Sequence, residues 1–118
     1  MQSVNVMLCV RTESEANLRE HWAKRHRRSK AQREEAYYRF LHLKPVAATF
    51  PKISVTLTRV APRKLDSDNL TRSMKAIRDG IADALGVNDG SSRIDWRYAQ
   101  TKGQPKQYGV MVEIGKNV

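Results

Sequence analysis

Five apolar residues, Leu70, Met74, Ile77, Ile81 and Leu85, recur at steps of three and four. This stripe constrains the fold more than any other feature of the sequence. A period of 3.6 predicts one amphipathic helix running through them, with one face buried. Asp68 or Ser67 can cap its start, because a short acceptor side chain takes the free N–H groups of a first turn. Gly86 is a natural stop. At about 100° per residue, Asp68, Arg72, Lys75 and Asp79 fall on one face, roughly opposite the stripe. Taken alone, that face reads as a solvated surface held by i,i+4 pairs, Asp68 with Arg72 and Lys75 with Asp79.

The acids around this helix point further. Six of the twelve acidic residues lie between Arg63 and Asp95, in a chain of formal charge +10. Acidic residues gathered at both ends of one helix in a basic protein fit a divalent metal beside a polyanion. Asp66 and Asp68 are two apart on an extended approach to the helix, so their side chains point the same way and can share a cation. Asp89 can join them if its loop folds back, against a helix that rises about 1.5 Å per residue. Each residue also has a plain role. Asp68 can be only an N-cap, Asp66 a turn residue, and Asn88-Asp89-Gly90 ordinary turn chemistry.

Three segments carry a family resemblance: Arg63-Lys64-Leu65-Asp66-Ser67-Asp68-Asn69-Leu70, Met74-Lys75-Ala76-Ile77-Arg78-Asp79-Gly80, and Leu85-Gly86-Val87-Asn88-Asp89-Gly90. Together they resemble the core motif of the RusA family of Holliday-junction resolvases, small Mg²⁺-dependent endodeoxyribonucleases common in prophages. The segment Asn17-Leu18-Arg19-Glu20-His21-Trp22 and the basic run after it are similar to prophage members. The resemblance implies metal-binding catalytic carboxylates at Asp66, Asp68 and Asp89 and a catalytic-site lysine at Lys75. On an ungapped register Arg72 takes the lysine's place. Asp79 matches either a metal-site acid or a partner for Lys75. Where the family loop often carries two adjacent acids, this chain has Asn88 before Asp89. Asp95, on the strand that follows, is the reserve for the third carboxylate.

The rest of the chain fits a nucleic-acid partner. At 118 residues it is read as a single domain, residues 1–118. Clustered Lys and Arg gain free energy by releasing counterions from phosphates. A helical stretch reaching to about Leu43 holds Lys24, Arg25, Arg27, Arg28, Lys30 and Arg33 with almost nothing to bury. These six, with Arg72, are the expected phosphate-backbone contacts, which position a protein without reading sequence. A capping box, Thr12 to Glu15, opens that stretch; packing is the expected role of Trp22, with support of the site or stacking on a base the alternative for it and His21. His21, His26 and His42 lack ligand spacing, His26 belonging to the basic face, and one cysteine gives no zinc constellation. Cys9 reads as a buried thiol in a reducing cytosol, so the expected location is cytoplasmic, bacterial or phage-infected. No apolar run is long enough to span a membrane.

Four strands complete the pattern. Residues 2–10 alternate with Val4, Val6, Leu8 and Val10 on one face, and Ile53, Val55 and Leu57 form a second strand. Ile94, Trp96 and Tyr98 lie on a third, joined through a hairpin turn at residues 101–106 to a fourth, Tyr108 to Ile114. Lys44-Pro45 ends the first helix. The expected fold class is α+β, with two main helices packed on a mixed sheet of about four strands.

The reading that follows is a Mg²⁺-dependent nuclease, with Mn²⁺ able to substitute and no small-molecule cofactor, that resolves branched DNA by paired symmetric nicks. Hard oxygen ligands suit Mg²⁺, and Lys75 or Arg72 would stabilise transition-state charge. The resemblance implies a homodimer, whose two-fold axis matches that of a four-way junction. A non-catalytic basic DNA-binding protein and a nuclease for flaps are the alternatives.

Overall fold

The computed structural model describes residues 3–12, 22–88 and 90–116. It is an α+β fold with the elements β1 (Val4–Leu8), α1 (Trp22–Phe40), α2 (Lys44–Ala47), β2 (Ile53–Ala61), α3 (Ser67–Ser73), α4 (Lys75–Leu85), β3 (Ile94–Lys102) and β4 (Gly109–Lys116). The four strands form one mixed sheet in the order β1-β4-β2-β3. The expected capping-box residue Glu15, the segment 17–21 with His21, and Asp89 lie outside the described residues.

β2 is central because its sequence suits both sides. Ile53, Val55, Leu57 and Ala61 face the helices and are buried, while Ser54, Thr56, Thr58 and Val60 face the other way and are half-buried. Such a strand is well placed between two neighbours. It pairs parallel with β3, Ile53 opposite Ile94 and Ala61 opposite Lys102, and antiparallel with β4. A parallel pair needs a crossover, and α3 and α4 supply it.

This order corrects the expected β3–β4 hairpin. The two strands are consecutive in sequence, yet β2 lies between them. Residues 103–108 carry the chain over the end of β2 instead. Gly103 N–H donates to Ala61 O at 2.8 Å. Turn residues between two alternating segments look the same whether the strands pair or straddle a third.

The stripe of the central helix is buried throughout: Leu70, Met74, Ile77, Ile81 and Leu85 are each at most 6% exposed. The single helix expected there is two. Thr71 and Ser73 turn their hydroxyls onto the carbonyls of Ser67 (3.1 Å) and Leu70 (2.7 Å). Such back-bonding competes with the helical ladder and bends a helix. The break falls at Met74, which stays in the right-handed region at φ −96°, ψ −3°. α4 ends as expected at Gly86, whose φ of 71° is left-handed. Gly86 N–H reaches Asp83 O and Val87 N–H reaches Ala82 O, the paired bonds of a Schellman stop.

α1 runs beside α3 and α4 in the same direction. Arg25 and His26 line one groove with Arg72 and Ser73, Arg33 and Ala36 lie against Gly80, and Lys44 against Gly86. The approach is closest at Gly80, where an added Cβ would overlap Arg33 O and lie 2.9 Å from the Ala36 Cβ. Phe40 and Ala36 are fully buried at this contact. Beyond Phe40 a short 3₁₀ turn, Leu41–Leu43, leads into α2, so α1 ends before Lys44-Pro45, which opens a helical turn of its own. Pro45 fits there because the first turn of a helix leaves its N–H groups unpaired in any case.

Two burial expectations are also corrected. Cys9 is exposed, out of phase with the inward-facing Leu8 and Val10. Trp22 is 72% exposed rather than packed. Among the described residues no helix is long and apolar enough to cross a membrane.

The contact at Gly80 yields a direct expectation. Gly80→Ala should destabilise the fold by about 1–3 kcal/mol, the usual range for overpacking a tight interior. The check is the denaturation midpoint. An unchanged midpoint would mean that α1 is not held against α4 as described.

Candidate functional site

The site begins where β2 ends. Two polar residues that point to the helix side of the sheet fix the chain between Ala61 and Asp66. Arg59, only 5% exposed, donates to Thr12 O, to Thr12 Oγ1 at 3.1 Å and to Arg63 O. Gln100, on β3, clasps the backbone of Leu65. Its Oε1 accepts from Leu65 N–H at 2.9 Å and its Nε2 donates to Leu65 O at 2.7 Å. The next residue is Asp66.

Asp66 is the N-cap of α3, with φ −67° and ψ 168°. Its Oδ1 accepts from Asn69 N–H at 2.9 Å and its Oδ2 from Asn69 Nδ2 at 3.0 Å. The cap is therefore one residue earlier than Ser67 and two earlier than Asp68, the expected candidates. Those two are already helical, so Asp66 and Asp68 do not alternate along an extended segment. They meet instead at one helix terminus. Asp68 is exposed in the first turn. The expected Asp68–Arg72 pair is not among the ion pairs of the described residues, whereas Lys75 does pair with Asp79 at 3.3 Å.

Between α1 and the α3–α4 pair lies a groove of about 550 Å³. Arg25, Lys30, Arg33, Arg72 and Lys75 line it with His26, and Asp79 is the one carboxylate in its wall among the described residues. Four of the seven expected nucleic-acid contacts thus converge with the expected catalytic lysine. Lys24, Arg27 and Arg28 do not line the groove, being carried on other faces of α1. Arg33 is tied across the groove to Asp83, with Nη2–Oδ2 at 2.6 Å and Nε–Oδ2 at 3.0 Å. Asp68 lies one turn before Arg72 on the same side of the helix, about 6 Å along the axis.

A second cavity of about 400 Å³ continues the groove past Arg33, Lys75 and Asp79 to Asp83, Val87 and Asn88. Asn88 and Gly90, bonded through Asn88 Oδ1 and Gly90 N–H at 2.9 Å, follow the far end of α4. The helical span from Ser67 to Leu85 is about 27 Å at 1.5 Å per residue. Asp95 does not join Asp66 and Asp68. It lies on the sheet face turned away from the helices, where Arg97 binds its Oδ2 at 2.7 and 2.9 Å.

The donor set present can be weighed against a divalent ion. Asp66 uses one lone pair of each oxygen on Asn69, and a carboxylate has about four such sites in all. Asp68 spends none of its own on a partner among the described residues. Two hard-oxygen donors at one terminus match Mg²⁺, which is held by one or two carboxylates with waters and substrate phosphates. Among the described residues no three His, Cys, Asp or Glu side chains gather around one point.

Sequence reasoning missed Arg59, Gln100 and Arg78. Arg78 lies over the Trp96 ring at 4.8 Å and donates to Tyr98 Oη at 2.9 Å, tying α4 to β3. The signal for the two strand residues was available. Arg59 falls in phase with Ile53, Val55 and Leu57, and Gln100 in phase with Ile94, Trp96 and Tyr98. A polar residue in the buried phase of a strand must find partners. Gln100→Ala, which strands the Leu65 N–H and C=O, should therefore cost about 1–3 kcal/mol of stability, read from chemical denaturation. A loss no larger than that of an exposed alanine substitution would refute the clasp. Comparison with protein-family models and with curated proteins returns no match.

Proposed function

We propose that this protein is a Mg²⁺-dependent endonuclease that cuts branched DNA, with the four-way junction as its substrate. One observation carries the reading: two carboxylates, Asp66 and Asp68, open α3, whose Arg72, together with Lys75 at the start of α4, walls a strongly basic groove. The resemblance of residues 63–90 to the RusA motif supports it. Asp89, the third carboxylate that the resemblance implies, lies outside the described residues.

In this mechanism the groove cations bind the phosphates that flank the scissile bond and orient the strand. The Gln100 clasp on Leu65 and the Asn69 bonds to Asp66 hold the carboxylates in place before DNA arrives. Pre-set geometry of this kind lowers a barrier because the ordering is complete before the reaction begins. Asp66 and Asp68 would hold Mg²⁺, which when bound polarises the phosphate and lowers the pKa of a coordinated water. Arg72 and Lys75 stabilise the charge that grows on the phosphoryl oxygens. Lys75 shares its charge with Asp79 at 3.3 Å, whereas Arg72 has no such partner among the ion pairs of the described residues. Arg72 is therefore the stronger cation toward DNA. A homodimer would set two such sites about a two-fold axis and make the two nicks symmetric.

A specific observation favours the competing reading, a basic DNA-binding protein without catalysis. The two bonds from Asn69 to Asp66 already give that aspartate a structural role. The deciding experiment incubates a synthetic four-way junction with Mg²⁺ and compares the wild type with Asp68→Asn. Paired nicks by the wild type, lost in the variant while junction binding persists, are expected. No nicking by the wild type, with equal affinity for junction and duplex, would leave only the binding protein. Cleavage of flaps in preference to junctions would move the substrate and keep the chemistry. In the same assay Arg72→Gln should weaken junction binding at every sequence and reduce the slope of log affinity against log salt by roughly one.

A further inference from the structure

The groove has a shape as well as a charge. Its floor is small, with Ser29 from α1 opposite Ser73 and Ala76 from α3 and α4. Ser73 is buried, and its hydroxyl is turned onto Leu70 O at 2.7 Å. Small residues at a helix–helix seam leave a slot where larger ones would fill it. The slot is also narrow, because α1 and α4 are drawn together at Gly80 until the backbone of Arg33 touches it. A B-form duplex, whose major groove alone is about 12 Å wide, is far too broad to lie between two helices in contact. A single strand with its phosphates in line is not.

An aromatic residue stands one turn outside the slot on the same helix. Positions 22, 26, 29, 33, 36 and 40 fall on one stripe of α1, at steps of three and four. Four of them meet α3 or α4: His26, Ser29 and Arg33 line the slot, and Ala36 packs at Gly80. Trp22 continues that stripe one turn beyond His26, toward the end of α3 that begins with Asp66 and Asp68. It is 72% exposed, one of the two tryptophans of the chain and among the most solvent-accessible of the apolar residues described. A large ring open to water on the axis of a basic slot is the usual equipment for single-stranded nucleic acid. Bases stack on the ring while cations track the backbone, and the stacking is tolerant of sequence because every base has a π-face.

We infer that the slot takes one unpaired strand, its phosphates on Arg25, Lys30, Arg72 and Lys75 and a base stacked on Trp22. This deepens the nuclease reading and rests on it for its biological substrate: the preferred branch is one with unpaired nucleotides at its centre, and the strand threaded past Trp22 runs toward Asp68. Binding itself needs no metal, so it is separable from cleavage.

The test follows from that separation. Trp96→Phe leaves Trp22 as the sole indole, and its fluorescence is followed in EDTA as oligothymidylate is added. Heparin serves as a polyanion that has no bases. Quenching by the oligonucleotide but not by heparin is expected. In anisotropy titrations with EDTA, Trp22→Ala should weaken single-strand binding about tenfold and change duplex binding less than twofold, with Trp22→Phe restoring most of the loss. Circular dichroism on each variant confirms folding, which an exposed residue is not expected to disturb. Equal quenching by heparin, or equal losses on single strand and duplex, would overturn the inference. Junction cleavage with Mg²⁺ is measured in parallel. Cleavage by the wild type with no effect of Trp22→Ala on single-strand binding would sink the slot and leave the nuclease. Trp22-dependent single-strand binding with no cleavage would do the reverse.

Discussion

The close approach of α1 to α4 at Gly80 governs how this molecule presents its charge. With no Cβ at position 80, the backbone of Arg33 and the methyl of Ala36 lie directly on α4. Fully buried Phe40 follows on the same stripe of α1. Further toward the N-termini the same two surfaces change character. The α1 stripe becomes Ser29, His26 and Arg25, and the opposing residues are Ala76, Ser73 and Arg72. Among the described residues no apolar side chain larger than that of Ala76 lines this part of the seam. Five cations sharing one seam repel one another, and the small floor leaves room for water. Tight packing at one end and charge at the other therefore turn a helix pair into a groove. The Arg33–Asp83 and Lys75–Asp79 pairs sit at the transition. Both are largely solvent-exposed on at least one partner, so they orient side chains more than they stabilise the fold.

A second dependence runs through β2. As the central strand it has β3 and β4 on its two sides, and its end delivers the chain to Asp66. A free loop of four residues would leave the head of α3 poorly fixed. Arg59 and Gln100 prevent that from two different strands, one reaching Arg63 and the other Leu65. Both lie where the alternation calls for an apolar side chain. Their burial is tolerable because each donor and acceptor finds a partner. The carboxylates of the candidate site are thus positioned by the sheet as much as by their own helix.

The parts of this arrangement that were legible in the sequence are the local ones. The stripe from Leu70 to Leu85, the Gly86 stop and the alternation of β2 are periodic, and periodicity needs no knowledge of the partner. What failed depends on the partner. The turn at residues 101–106 does not reveal that β2 will separate β3 from β4. Trp22 reads as a packing residue, and only the fold shows that it is 72% exposed. The N-cap went to Asp66 because Asn69 offers it both a backbone and a side-chain donor, a preference that spacing alone does not contain. Cys9 is the exception. Its phase, opposite to Leu8 and Val10, already placed it outside, and the apolar run around it outweighed a rule that was decisive. The basic run on α1 was legible as a charge and not as a surface, since only a helix partner selects Arg25, Lys30 and Arg33 and turns away Lys24, Arg27 and Arg28.

The same geometry couples the two charges of the proposed site. Asp68 and Arg72 are about 6 Å apart along the helix axis, less than the Debye length of roughly 8 Å at physiological salt. Solvent ions therefore do not insulate the carboxylates from the groove. A strand lying on Arg25, Arg72 and Lys75 brings its phosphates within range of Asp66 and Asp68, and their repulsion opposes binding unless a cation sits between them. The converse holds as well. A cation at the carboxylates is repelled by the empty groove and favoured once phosphates neutralise it. By linkage each ligand must raise the affinity of the other by the same factor. A basic groove that ended in neutral residues would bind DNA more tightly at rest. In the proposed reading, one that ends in two aspartates still binds it without a cation, but less tightly than with one.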